Sequence, residues 1–166
     1  MLDGIHKIHL IGIGGSGMRA IANILIQKGY DVSGSDIAES AVISKFRDMG
    51  ATVHIGHNKE YVNGVDAIVR STAIREDNPE IVAAKEQGIA ILHRSDIVKA
   101  VLDVTDGIAV AGAHGKTSTT SMIGQVLVEA NADPTVIIGG EVDYLKGSSC
   151  LGKGHFSVVE ADESDG

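Results

Sequence analysis

The chain has 166 residues, 43% of them hydrophobic, and a formal net charge of −8. That acidic balance excludes sequence-independent nucleic-acid binding, which needs dense lysine and arginine to displace counterions. A single cysteine, Cys150, allows no internal disulfide, and no N-terminal segment pairs basic residues with a secretory apolar core. The longest early apolar run, Ile8 to Ile13, is far short of the roughly 20 residues that cross a membrane, so the expected setting is the cytoplasm, with no membrane partner.

Ile8 to Ile11 precedes a cluster of glycines and predicts the first strand. Met18, Ile21, Ala22, Leu25 and Ile26 then recur at helical spacing, with Gly29 as the stop. Tyr30 to Ser35 gives a second strand ending at Asp36, and Ser40 is placed to cap a helix carrying Ile43 and Phe46 that stops near Gly50. Thr52 to Ile55 and Ala67 to Val69 are the third and fourth strands, with Ser71 and Thr72 at the C-terminal edge of the latter. Asn78-Pro79 starts a helix that Gly88 stops. Ile89 to Leu92 is a fifth strand, and Ser95 is the expected cap of a helix reaching Leu102.

The polar stretch Asp103 to Asp106 divides the chain into an expected first domain, 1–104, and a second, 105–166. The second opens with a strand from Gly107 to Ala111. Its helix, from about Lys116 to Glu129, is expected to bury Met122, Ile123, Val126 and Leu127. Further strands are expected at Thr135 to Ile138 and Phe156 to Glu160, separated by a glycine-rich loop with a little extended structure. Strands alternating with helices predict an α/β protein: a Rossmann-like parallel-sheet domain, then the start of a P-loop-type α/β domain. About 60 residues make roughly half of a nucleotide-binding domain, so the second domain looks unfinished.

Two glycine-rich turns carry the chemistry. Gly12-Ile13-Gly14-Gly15-Ser16-Gly17 follows a strand and opens a helix, and Asp36 lies 19 residues beyond Gly17, placed for a ribose hydroxyl. This fingerprint does not separate NAD from another nucleotide diphosphate. Gly112-Ala113-His114-Gly115-Lys116-Thr117-Ser118 follows the sixth strand. There the backbone grips phosphate, Lys116 supplies a point charge, and the Thr117 hydroxyl is placed to ligand Mg²⁺. The usual lysine-loop spacing would put glycine at Val110, so this is a shorter variant. Glu160, ending a later strand, is where a second metal-facing carboxylate belongs. Asp162, Glu163 and Asp165 suit either a metal site or a solvated turn. His114 lies inside the phosphate loop. His57 stands at a strand's C-terminal edge, where a ligand contact and a plain surface role are both open. The other histidines (His6, His9, His54, His93 and His155) are assigned structural roles, and Cys150 is a filler residue.

These segments together resemble the Mur ligases, which build the peptide stem of peptidoglycan. The resemblance is carried by Gly12 to Met18, Ser33 to Asp36, Ser71 to Ile74 with Asn78-Pro79-Glu80, Ala111 to Thr117, Ile138 to Gly140, and Glu160 to Asp165. It implies that the first domain holds UDP-N-acetylmuramate. The glycine loop (Gly12, Gly14, Gly15, Ser16 and Gly17) would face the pyrophosphate, with Asp36, His57, Ser71 and Ile74 near the nucleotide end. ATP would lie on Gly112 to Ser118 and Mg²⁺ on Thr117 and Glu160, with Lys116 and Glu160 the residues of catalysis. The implied reaction joins L-alanine to the muramyl carboxylate through an acyl phosphate. Ala113 replaces the threonine usual in the family, which removes one hydroxyl from the loop. The resemblance further implies an N-terminal fragment that does not complete the reaction alone. An NAD-binding oxidoreductase fragment and a short non-catalytic nucleotide-binding module are the alternatives.

Overall fold

The computed structural model describes residues 2–161. Five strands, β1 (Lys7–Ile11), β2 (Asp31–Asp36), β3 (Thr52–Ile55), β4 (Ala67–Arg70) and β5 (Ala90–His93), form one parallel sheet in the order β3-β2-β1-β4-β5. Helices α1 (Ser16–Gln27), α2 (Ala41–Asp48) and α3 (Pro79–Gln87) supply crossovers. A parallel sheet covered on both faces needs apolar residues on both sides of its central strands. Accordingly Ile8, Leu10 and Ile11 of β1 and Ile68 of β4 are fully buried, as are Ile21, Ile24 and Leu25 of α1. Ile11, Ile68 and Ile81 of α3 share one core with Val62.

Local signals end the helices as their chemistry requires. Ser40 accepts from the Ile43 N–H at 3.3 Å to cap α2. Asn78 accepts from the Glu80 N–H at 2.9 Å, Pro79 takes the first turn of α3, and Gly88 closes it with φ +69°. The exception is helix α4 (Arg94–Leu102), which begins directly after β5. With no residue between strand and helix, Ser95 lies within the first turn instead of preceding it as a cap.

The chain separates into two compact units, one formed by Leu2–Arg94 and the other by the residues from Ser95 onward. The second contains β6 (Asp106–Val110), α5 (Lys116–Glu129), β7 (Thr135–Val142), β8 (Gly147–Cys150) and β9 (Phe156–Glu160), with strand order β6-β9-β7-β8. β6 and β7 both run parallel to β9, while β8 is antiparallel to β7. About half of the glycine-rich stretch 139–155 is therefore sheet, not loop. β7 passes through Gly139 and Gly140 to Val142, its pairing with β8 shifts register after Ile137, and Lys146 at φ +51° completes the turn. Helix α5 also departs from its apolar pattern: Thr120 and Gly124 are its buried residues, whereas Met122 is 61% and Val126 67% exposed. Gly124 has no side chain to hold Val136 of β7 away, so the small-residue face packs inward. Ile123 and Leu127 are only partly buried.

No helix among the described residues is long and apolar enough to cross a membrane.

Candidate functional site

The first glycine loop is held open by its own backbone. Gly12 takes φ +73° and, with Ile13, donates its N–H to the Ser35 carbonyl at 2.8 and 3.1 Å. The Gly15 N–H then turns back on the Gly12 carbonyl at 3.0 Å. Asp36 binds this loop directly: one carboxylate oxygen accepts from the Gly14 N–H at 2.8 Å and the other from the Ile37 N–H at 2.7 Å. A side chain at residue 14 would approach that carboxylate to 3.0 Å, which explains the glycine there. Helix α1 begins with no side-chain cap, so its first N–H groups remain available to an anion.

Several chosen residues surround that helix start. Ile74 places its Cδ1 3.4 Å from where a Gly12 side chain would begin, and the Ile74 N–H is tied to the Ser71 carbonyl at 3.1 Å. Ser16 is exposed, and Gly17 is partly so. A methyl group at 17 would collide with the guanidinium of Arg94, which lies against the first turn of α1. Sequence reasoning missed Arg94, because nothing in a strand-to-helix junction announces where a long side chain will reach.

Behind β1 and β2 lies a second feature that the sequence hid. Glu80 of α3 is fully buried. Its Oε2 accepts from the Ser35 hydroxyl at 2.7 Å and lies 3.3 Å from His9 Nε2. Its Oε1 accepts from the Asn58 N–H at 3.2 Å and lies 3.3 Å from His57 Nδ1. Burial alone would raise this carboxyl, but hydrogen bonds from His9 and Ser35 outweigh it and hold the group below the usual glutamate range. His9 is therefore structural in position yet part of a polar network, with Nδ1 2.9 Å from Ser33 Oγ. His54 stacks on Tyr61 at a centroid distance of 4.0 Å, and burial pushes its imidazole down.

In the second unit, the loop between β6 and α5 turns through Gly112 at φ +151° and Gly115 at φ +78°, and α5 again starts without a side-chain cap. Lys116 folds back so that its Nζ donates to the Gly112 carbonyl at 2.7 Å. Ala113, His114, Gly115, Thr117 and Ser118 are exposed. Glu160 at the end of β9 pairs in register with Val110, which places its carboxylate beside the loop. One oxygen of Glu160 accepts from the Gly139 N–H at 2.9 Å. The other is buried with no hydrogen-bond partner among the described residues. Gly140, the next residue, stands where a side chain would lie 3.4 Å from the Thr117 methyl. Thr117 and Glu160 thus converge on one glycine pair.

A buried carboxylate oxygen without a partner, next to a threonine at a phosphate loop, fits a magnesium ion that takes its remaining oxygens from phosphate and water. No group of three or more His, Cys, Asp or Glu suited to a metal occurs among the described residues. The acidic cluster Asp162, Glu163 and Asp165 lies outside the described residues. Cys150 has its Sγ 3.5 Å from the Pro134 carbonyl, and burial pushes its thiol up, which disfavours a nucleophile.

Known proteins resemble the chain in sequence and in fold. The chain is 46% identical over its full length to UDP-N-acetylmuramate–L-alanine ligase of Solidesulfovibrio magneticus, covering 36% of that protein. It is 48% identical to the ligase of the same name from a Sulfurihydrogenibium species, with 98% of the chain and 36% of the relative aligned. The chain thus spans about a third of the length of these curated relatives. Among solved structures, UDP-N-acetylmuramate-alanine ligase MurC from Thermotoga maritima superposes with a TM-score of 0.88 at 36% identity, over 95% of this chain and 37% of that one. The UDP-N-acetylmuramate:L-alanyl-gamma-D-glutamyl-meso-diaminopimelate ligase from Neisseria meningitides also gives 0.88, at 28% identity over 96% of this chain and 53% of that one. Residues 7–104 match the catalytic-domain description of the Mur ligase family. With that match across more than half its length, the chain belongs to the Mur ligase family.

Proposed function

We propose that this chain carries the UDP-sugar and ATP sites of a ligase that joins L-alanine to UDP-N-acetylmuramate. The observation that supports it most is the pairing of two unlike uncapped helix starts in one chain. One is tied to Asp36, and the other faces Lys116, Thr117 and Glu160. The domain division of this reading is the one set by sequence, 1–104 for the UDP-sugar and 105–166 for ATP.

In the first site the free N–H groups of α1 and the guanidinium of Arg94 hold the pyrophosphate. Asp36, His57, Ser71 and Ile74 define the nucleotide end. In the second, backbone N–H groups of Gly112 to Ser118 cradle the triphosphate, and Lys116 leaves the Gly112 carbonyl for the β/γ-phosphates. Thr117 and Glu160 would hold magnesium, which would spread the charge of the transferring phosphoryl group. The muramyl carboxylate would attack the γ-phosphate to form an acyl phosphate as ADP leaves, and the amine of L-alanine, losing a proton, would then displace inorganic phosphate. A carboxylate approaching a polyanion is repelled until that charge is neutralised, and Lys116 supplies a fixed part of the neutralisation. Both substrates are nucleotides of the cytoplasm, where this reading places the chain.

Thermal unfolding with each ligand tests the reading. A ligand at 100 times its dissociation constant adds about 2.7 kcal/mol, so UDP-N-acetylmuramate and MgATP should each raise Tm. Stabilisation by NADH but not by UDP-N-acetylmuramate would overturn it.

A further inference from the structure

Glu80 uses its whole acceptor capacity inside the fold. A carboxylate has about four lone-pair sites, and here Asn58 N–H, His57 Nδ1, Ser35 Oγ and His9 Nε2 face them. None is left to touch a ligand. What this arrangement does fix is the ring of His57, whose side chain is 21% exposed.

The fixing follows from counting protons. The Ser35 hydroxyl has one proton, and it is donated to Glu80 at 2.7 Å. His57 Nδ1 lies 3.1 Å from Ser35 Oγ and 3.3 Å from Glu80 Oε1. Both neighbours are therefore acceptors, and Nδ1 must carry hydrogen. In a neutral imidazole the other nitrogen is then a bare lone pair. Free histidine favours the opposite tautomer, so the environment reverses the intrinsic preference.

The position of the ring indicates what that lone pair meets. Asp36 and Ile55 are register partners on β2 and β3, and the Gly56 N–H donates to the Asp36 carbonyl at 2.7 Å. His57 thus lies beyond Asp36, on the β3 side of the glycine loop. With a pyrophosphate on α1, the parts of a nucleotide reaching this side are its ribose and base, and both carry donors.

We propose that Glu80 is a positioning residue that holds His57 as the Nδ1–H tautomer, so that Nε2 accepts a hydrogen bond from the base–ribose end of a uridine nucleotide. This rests on the UDP-sugar reading of the first site. Glu80 touches no ligand and acts through His57.

Long-range ¹H–¹⁵N NMR of the 166-residue chain reads the tautomer directly, with His57→Leu identifying the signals. His57 should be Nδ1–H in the wild type and revert toward Nε2–H in Glu80→Gln. An Nε2–H ring in the wild type, or a Glu80→Gln ring that stays Nδ1–H, overturns the inference. UDP titration supplies the second arm. His57→Leu should weaken UDP about tenfold, or about 1.4 kcal/mol. His57→Gln, which can present a carbonyl near the Nε2 position, should recover most of that loss. Undiminished UDP affinity in His57→Leu also overturns the inference. The dependence on His57 should vanish with N3-methyl-UDP if the base donates, or with 2′-deoxy-UDP if the ribose does. Its persistence with both analogues counts against it. If the wild type binds no UDP at all, the substrate reading fails, and the ligand half of this inference fails with it. The tautomer is still decided by the first arm.

Discussion

Asp36 shows how one side chain shapes a loop that the proposed reading gives to a ligand. Its two oxygens are held by the N–H groups of Gly14 and Ile37. Asp36→Ala removes the acceptor of one part-buried and one exposed backbone N–H and should cost about 0.5–1.5 kcal/mol of stability, seen as a lower Tm, together with about tenfold weaker UDP binding. A variant that weakens UDP with no loss of Tm would mean that the loop does not depend on the carboxylate. Glu80 gives a pH prediction whose sign is fixed. Its carboxyl lies below the ordinary value when folded, so the ion stabilises the fold above the unfolded glutamate pKa of about 4.3. That contribution is lost as pH falls through the lower folded value. The Tm gap between wild type and Glu80→Gln should therefore be widest near neutrality and shrink below about pH 4, as calorimetry across pH would show. A gap that grows on acidification would contradict the assignment.

At the scale of elements, the strand ends and the glycines beside them govern the second site. Glu160 is held by Gly139 across the sheet, and a side chain at 139 would lie 2.7 Å from its Oε2. Gly139→Ala should displace that carboxylate, weakening magnesium-dependent ATP binding about tenfold or more while ATP measured with EDTA changes little. Equal loss in both conditions would show that the glycine supports the loop and not the metal site. The same scale explains what could be read from sequence alone. All five strands of the first sheet and the caps at Ser40 and Asn78 were legible, because apolar runs, glycine stops and capping residues are local signals. The inward face of α5 was not. Its hydrophobic spacing points to Met122 and Val126, yet the close approach of Val136 at Gly124 decides which face packs. Nor was the β7–β8 hairpin, since paired glycines inside a strand look like loop. The glycine loops and Asp36 could be found by spacing. Arg94, and the contacts of Glu80 and Ser35 within their recognised segments, could not, because their partners are brought from distant positions by the fold.

For the whole molecule, the proposed function divides the chemistry between the two units, and one substitution tests that division. Lys116→Ala removes the charge of the second loop and should abolish detectable MgATP stabilisation while UDP-N-acetylmuramate still raises Tm as in the wild type. Parallel loss of both effects would refute separate sites. The bond between the Lys116 ammonium and the Gly112 carbonyl has a further consequence outside binding. This amine is part-buried and bonded to its own loop, whereas Lys7, Lys85 and Lys99, although each is paired with a carboxylate, stand 54–71% exposed. Timed acetylation followed by mass spectrometry should find Lys116 modified well after those three. The protein would then carry a built-in chemical clock for loop opening, readable with no nucleotide present.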